Sequence, residues 1–163
     1  MDEMNNFIGQ ELTWISTKFN THFELHAGET VLATLDRDGR SNQATVEGAE
    51  GKLEIRQDSK LSPSTQVYSA GTDTPLANFQ INGTGGGGTM EMANGRTFLW
   101  KNKMLLTSRK HVWMDAQNQE LVHWEAQVFD GKVVAQIEPA AAALPELSLL
   151  VIVGLYITVA LRQ

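Results

Sequence analysis

The sequence contains no cysteine, which excludes disulfide bonds, thiolate metal sites and a cysteine nucleophile. It also lacks a surplus of positive charge, because its 163 residues carry a formal net charge of -6. Nonspecific nucleic-acid binding depends on excess Lys and Arg, so we expect no nucleic-acid partner. The N-terminus, MDEMNNFIGQEL, has no basic start followed by an apolar run. A secretory signal is therefore not predicted, and we expect a cytoplasmic protein.

A glycine-rich segment at 82–89, NGTGGGGT, contains the spacing G-x-G-x-x-G from Gly83 onward. A dinucleotide-binding motif of this kind requires a following helix whose N-terminus holds the pyrophosphate. The next residues include Asn94 and Gly95, a type I′ hairpin signal, and Thr89 stands where a P-loop needs Lys. We interpret the glycines as a flexible connection between two strands and expect no cofactor.

Short β-rich segments separated by turn-forming residues occupy most of the chain. Such punctuation about every 8–12 residues is typical of an all-β sandwich or barrel. The predicted strands cover residues 12–25, 30–35, 41–47, 52–57, 65–70, 75–82, 89–92, 97–101, 104–110, 111–115, 120–127 and 132–138. They predict one mainly β domain over residues 1–163, with its strands between about 12 and 138.

The last segment, LPELSLLVIVGLYITVALRQ, has a different pattern. It is uncharged from Leu147 to Leu161 and has no polar stripe, so a helix over about 145–161 must be enclosed by protein or by lipid. Pro145 and Glu146 suit its first turn. The uncharged stretch spans about 22 Å as a helix, against about 30 Å for a bilayer core. We favour enclosure by protein; the alternative is a tail-anchored membrane protein with a surface β-domain.

These two features predict a single architecture. A closed barrel of about twelve antiparallel strands is wide enough to leave a lumen. A central hydrophobic C-terminal α-helix would fill that lumen. We expect the four tryptophans to line the barrel wall against this helix: Trp14, Trp100, Trp113 and Trp124.

The stretches VLATLDRDGR, VWMDAQNQEL, FDGKVVAQIE and PELSLLVIVGLYITVAL resemble the tubby-like superfamily, in particular its LURP-one-related and phospholipid-scramblase-like branch, over roughly 20–163. The resemblance implies a closed twelve-stranded barrel around a hydrophobic C-terminal helix. The cysteine-rich segment of scramblase-like members is absent. Tubby itself binds phosphoinositide head groups through basic side chains, but none of those residues is matched here. The run Asp36-Arg37-Asp38-Gly39 does not fit a calcium loop, which needs glycine sixth.

One segment of this acidic chain is basic. No acidic residue lies between Met92 and Met114, whereas five cations lie on two or three neighbouring predicted strands. They are Arg96, Lys101, Lys103, Arg109 and Lys110. The functional interpretation is an anion site for a membrane lipid head group or an acidic protein partner. The alternative is a set of solvated strand faces whose lysines discourage edge pairing.

No residue pattern predicts catalysis or a metal site. On a strand, His22 and His26 would lie about 13 Å apart, too far for one metal ion. His111 and His123 stand beside tryptophans and are expected to be packing residues. A G-x-S-x-G nucleophile motif is missing, and the acidic residues form no evident pair. We predict a non-enzymatic binding protein, without cofactor or metal, whose membrane contact would be peripheral.

Overall fold

The computed structural model describes residues 3–18, 21–38, 43–57, 64–82, 87–104, 108–127 and 133–160. These ranges contain twelve strands and one α-helix. The elements are β1 (Glu11–Lys18), β2 (His22–Ala27), β3 (Thr30–Arg37), β4 (Ala44–Gly48), β5 (Gly51–Gln57), β6 (Ser64–Ser69), β7 (Pro75–Asn82), β8 (Gly87–Met92), β9 (Thr97–Met104), β10 (Ser108–Met114), β11 (Glu120–Gln127), β12 (Val133–Ile137) and α1 (Leu147–Ala160). Short 3-10 helices lie at Met4–Phe7 and Pro139–Ala141.

The strands form one closed, antiparallel barrel in which each strand pairs with its neighbours in the sequence. The first and last strands close it, with Leu12 opposite Ala135 and Trp14 opposite Val133. Full closure leaves no sheet edge within the wall. The predicted closed barrel around a C-terminal helix is therefore confirmed.

Alternation of side chains explains why these segments form the wall. In β2, Phe23, Leu25 and Ala27 are buried, whereas the residues between them are half-buried on the outer face. Successive side chains of a strand point to opposite faces, so an apolar residue at every second position builds a continuous inner surface. The same alternation recurs in β12, where the inward positions begin at Val133 and end at Ile137.

Two parts of the strand prediction had the wrong boundaries. The predicted strand at 12–25 is two strands, β1 and β2, and Thr21 lies in a turn. No Gly or Pro occurs between 10 and 27 to signal that boundary. The three strands predicted over 97–115 are two, since β9 continues to Met104 and β10 pairs with it without a break. The two errors cancel in the total number of strands.

The helix α1 fills the lumen. All of its described side chains are buried except Ser148, which is half-buried, and Tyr156 has no exposed surface. The amide of Leu150 donates to the carbonyl of Glu146 at 2.9 Å. The helix thus begins two residues later than the predicted 145. Within the described parts of the chain, no helix is both long enough and apolar enough to cross a membrane.

Two of the four tryptophans, Trp113 and Trp124, contact this helix as predicted. All four are buried, and the indole Nε1 of Trp113 donates to the carbonyl of Leu150 at 2.8 Å. A Cβ added at Gly154 would lie 2.3 Å from Nε1 of Trp124, so glycine is required where the helix passes that indole. Trp14 stacks on Trp124, with ring centroids 6.5 Å apart.

Part of the glycine-rich segment 82–89 lies within a strand and does not serve as a connection between strands. Gly87 and Gly88 belong to β8, where a Cβ at Gly88 would lie 2.4 Å from the ring of Phe79. Gly88 is therefore required for close packing, and the place of both residues in β8 corrects the prediction of a flexible connection at 87–88. Gly83 and Gly85 lie outside the described residues. A strand, not a helix, follows the run, so the helix that a dinucleotide-binding motif requires does not occur at 87–92.

The predicted hairpin at Asn94-Gly95 joins β8 to β9. Gly95 has φ 89°, but Asn94 is not among the described residues with positive φ. A type I′ turn needs positive φ at both central residues. The predicted turn type was therefore wrong, although the hairpin itself is confirmed.

Candidate binding surfaces

The antiparallel order divides the barrel into two ends. We call the near end the one at which α1 begins. Its described segments are 3–10, 28–29, 49–50, 70–74, 93–96, 115–119 and 138–146. Every second turn of an up-and-down barrel lies at the same end, so these distant parts of the sequence meet there.

Three of the five predicted cations lie on neighbouring positions of two strands. Lys103 on β9 is the cross-strand partner of Lys110 on β10. Lys101, two residues before Lys103 on β9, pairs with Val112. Paired positions in a sheet share a face, with Cβ atoms about 5 Å apart. We call Lys101, Lys103 and Lys110 the basic strip. On its β11 side, Lys110 pairs with Glu125, so a carboxylate borders the strip.

Arg96 lies apart from the strip. It belongs to the near end, where its guanidinium Nη1 donates to both carboxylate oxygens of Glu146, at 3.0 and 3.1 Å. The side chain of Glu146 is only 7% exposed, compared with 46% for Arg96. This ion pair ties the β8–β9 hairpin to the residue that precedes α1. The geometry assigns Arg96 a structural contact.

Arg109 lies on the other face of β10 from Lys110. It shares its face with Trp113, which points into the barrel. His111, on this same face, stacks on Trp100 with ring centroids 5.0 Å apart, which confirms it as a packing residue. His123 is different: its Nε2 lies 3.2 Å from Glu120 and 3.1 Å from Glu138 on the outer surface. The packing prediction for His123 was therefore wrong.

A cavity of about 650 Å³ opens at the near end, between the start of α1 and the hairpins that join β4 to β5 and β8 to β9. Its apolar lining includes the large side chains of Leu32, Leu53, Leu76, Met92, Leu149 and Ile152. The polar lining includes Glu50, Lys52, Asn94 and Glu146. A second cavity of about 280 Å³ shares Met4 and Glu50 with the first. Ligand sites commonly have volumes of about 300–1,000 Å³, so the larger cavity is of suitable size.

The near end is acidic. Its described segments carry seven carboxylates and a single guanidinium, that of Arg96. The carboxylates are those of Glu3, Glu29, Glu50, Asp73, Asp115, Glu138 and Glu146. In the sequence these acidic residues form no evident pair. Their position in alternate turns was the signal that could have placed them at one end of a barrel.

A further charged cluster lies on the outer face of β2 and β3. Glu24 accepts from Nε2 of His26 at 3.0 Å, and Nε2 of His22 lies 3.7 Å from the same carboxylate. The hydrogen bond from His26 is the main reason that the pKa of Glu24 is lowered. Among the residues that the structure describes, no group of three or more His, Asp or Glu side chains could hold a metal ion.

The fold defines a class of protein: a single up-and-down barrel closed around an apolar helix. No protein-family model matches the sequence, and no curated protein matches it. The X-ray structure of a protein from Arabidopsis thaliana is similar, with a TM-score of 0.58 and 14% sequence identity. The similarity covers 91% of this chain and 93% of that chain. At this identity the match establishes a shared fold alone.

Proposed function

We propose that this chain is a non-enzymatic, cytoplasmic barrel that binds anionic membrane lipid head groups through the basic strip. The observation that carries the proposal is the register of β9 and β10, which makes Lys103 and Lys110 direct partners and places Lys101 two residues away. Like charges at paired positions destabilise a sheet, so their juxtaposition needs an explanation beyond solubility.

The chemistry of lysine suits such a surface. An ammonium group is a compact, strongly hydrated charge on a flexible stem, so it attracts phosphate groups without a fixed geometry. A basic cluster near an anionic membrane gains about 1 kcal/mol for each Lys or Arg. Three lysines therefore supply about 3 kcal/mol, which is enough for reversible peripheral binding.

We further propose that the chain belongs to the LURP-one-related and scramblase-like branch of the tubby-like superfamily. The closed barrel of twelve strands around a C-terminal helix supports this assignment. So does the fold-level similarity to the Arabidopsis protein. The proposed lipid site rests on the lysines of this chain and not on the membership.

Sedimentation with vesicles tests the proposal. We expect binding to phosphatidylcholine vesicles that contain phosphatidylserine, and none to phosphatidylcholine alone. Changing Lys101, Lys103 and Lys110 to Gln should lower the affinity by about 100-fold. Lys52→Gln, a change of the same kind on β5, is the control and should have little effect on vesicle binding.

Three outcomes would contradict the proposal. Equal binding by the triple variant and the control would exclude the basic strip. Binding to an acidic protein, with no binding to anionic vesicles, would replace the lipid as the partner. Membrane association in cell extracts that resists high salt and requires detergent would favour the tail-anchored alternative, since salt screens peripheral electrostatic contacts.

A further inference from the structure

We propose that the near-end cavity binds a small amphiphile with an apolar chain and a cationic head group. This site is distinct from the basic strip, and the proposal does not depend on that strip. It follows from the volume of the cavity, its apolar lining and the charge around its opening.

The cavity can accommodate an apolar chain. Its floor is formed by Leu149 and Ile152 of α1, and Leu76, which is 36% exposed, stands in its wall. An exposed large hydrophobic side chain in a concave apolar surface loses contact with water when a ligand binds, and this favours binding. The other such side chain in the described residues is Ile15, 41% exposed on the outer face of β1.

The charges around the cavity favour a cationic head group. The carboxylate of Glu50 lies at both cavities and accepts a hydrogen bond from Oγ of Ser148 at 3.2 Å. Glu146 is already neutralised by Arg96. Lys52 is the cation that lines the larger cavity, and it stands opposite Glu47 in the β4–β5 pair. Since the near end as a whole carries an excess of carboxylates, it attracts a cation and repels an anion.

The shape of the cavity favours a small molecule over a protein segment. A helix or an extended peptide needs a long groove or an exposed strand edge. The barrel is closed, so its wall offers no free edge to a peptide. The cavity lies over one turn of α1, between Leu149 and Ile152, and is bounded by separate hairpins. A compact apolar chain fills such a space.

Calorimetric titration with three probes of equal chain length tests the proposal: n-octylammonium, n-octanol and n-octanoate. We expect n-octylammonium to bind most tightly and n-octanoate most weakly. Leu76→Gln should weaken binding of n-octylammonium roughly five- to tenfold, because it removes apolar contact. Ile15→Gln, the matched control on the outer wall, should leave the affinity unchanged.

Variants that remove one charge separate the contribution of the ligand's head group to binding from that of its apolar chain. Glu50→Gln should weaken n-octylammonium binding by up to about fivefold, towards the affinity of n-octanol. Lys52→Gln should raise the affinity, because it removes the cation that lines the cavity. Because Leu76 and Glu50 are both exposed, these variants should fold, and a thermal melt of each one checks this.

Several results would overturn the proposal. Binding of n-octanoate at least as tight as that of n-octylammonium would refute the cationic head group. Equal effects of Leu76→Gln and Ile15→Gln would show that the probe binds elsewhere. Failure of all three probes to bind would refute an amphiphile site of this size. None of these results affects vesicle binding by the basic strip, so the two proposals fail independently.

Discussion

The basic strip and the near-end cavity are opposites in charge and in shape. Lys101 and Lys110 are exposed, and the charge of the strip comes from two consecutive strands, β9 and β10. The cavity is concave, apolar and surrounded by carboxylates that come from turns far apart in the sequence. The strip attracts anions electrostatically but forms no shaped pocket, and such contacts are sensitive to salt. The cavity offers shape and apolar contact, with charge as a secondary contribution.

The comparison shows which kind of surface a sequence reveals. The basic segment was visible because Lys101 and Lys110 are near each other in the chain. The cavity was missed because Leu32, Leu76 and Ile152 meet only after the barrel has closed. No local pattern in the sequence distinguishes these residues from ordinary core residues.

The fold itself was largely predictable. An apolar helix that is too short for a bilayer needs an enclosure, and alternating strands supply one. The register was not predictable, and it separates the five cations. It places Arg109 on the face of Trp113 and leaves Arg96 beside Glu146. A turn without Gly or Pro, such as the one at Thr21, also lacks the residues that usually signal a turn.

The largest expected effect comes from disturbing the helix beneath the cavity. A Cβ at Gly154 would lie 2.3 Å from the indole nitrogen of Trp124. In an ordinary helix, Gly→Ala gains about 1 kcal/mol. Here we expect Gly154→Ala to lower the free energy of unfolding by about 1–3 kcal/mol, because the lumen cannot accept the added carbon without strain. Urea denaturation measures the change.

Gly48→Ala is the matched control, since the nearest atom to its added Cβ is at 3.7 Å. It should lower the free energy of unfolding far less than Gly154→Ala does. The helix forms the floor of the cavity but not the outer wall, so Gly154→Ala should weaken n-octylammonium binding more than vesicle binding. An equal loss of n-octylammonium binding and vesicle binding would show that the cavity and the basic strip are not independent.

A smaller effect is expected from the ion pair beside the cavity. Arg96→Gln leaves the carboxylate of Glu146, which is 7% exposed, without its guanidinium. We expect a loss of about 1–2 kcal/mol in the free energy of unfolding, because the buried charge then keeps only the long hydrogen bond from Asn94, at 3.4 Å. Glu146→Gln leaves Arg96 free to turn to solvent and should cost about 1 kcal/mol or less.

The test is whether Arg96→Gln lowers the free energy of unfolding more than Glu146→Gln does. The double variant should cost less than the sum of the single changes, since it removes both charges together. Neither change should alter vesicle binding by more than about twofold, because Arg96 is not part of the basic strip. If Glu146→Gln proves the costlier change, the carboxylate does more than pair with Arg96.

The smallest effect concerns charges on the outer wall, which we expect to contribute little to stability. The pKa of Glu24 is lowered from its usual 4.5, first by the hydrogen bond from His26. A lowered carboxyl pKa stabilises the folded state above the unfolded pKa, and that contribution disappears as the pH falls through the folded pKa. Wild type should therefore melt slightly above Glu24→Gln at neutral pH, and the difference should vanish in acid. A difference that grows as the pH falls would contradict this assignment, and a large difference at neutral pH would show that outer-wall charges hold the barrel together. In that second case, the lysines of the strip could no longer be attributed to binding alone.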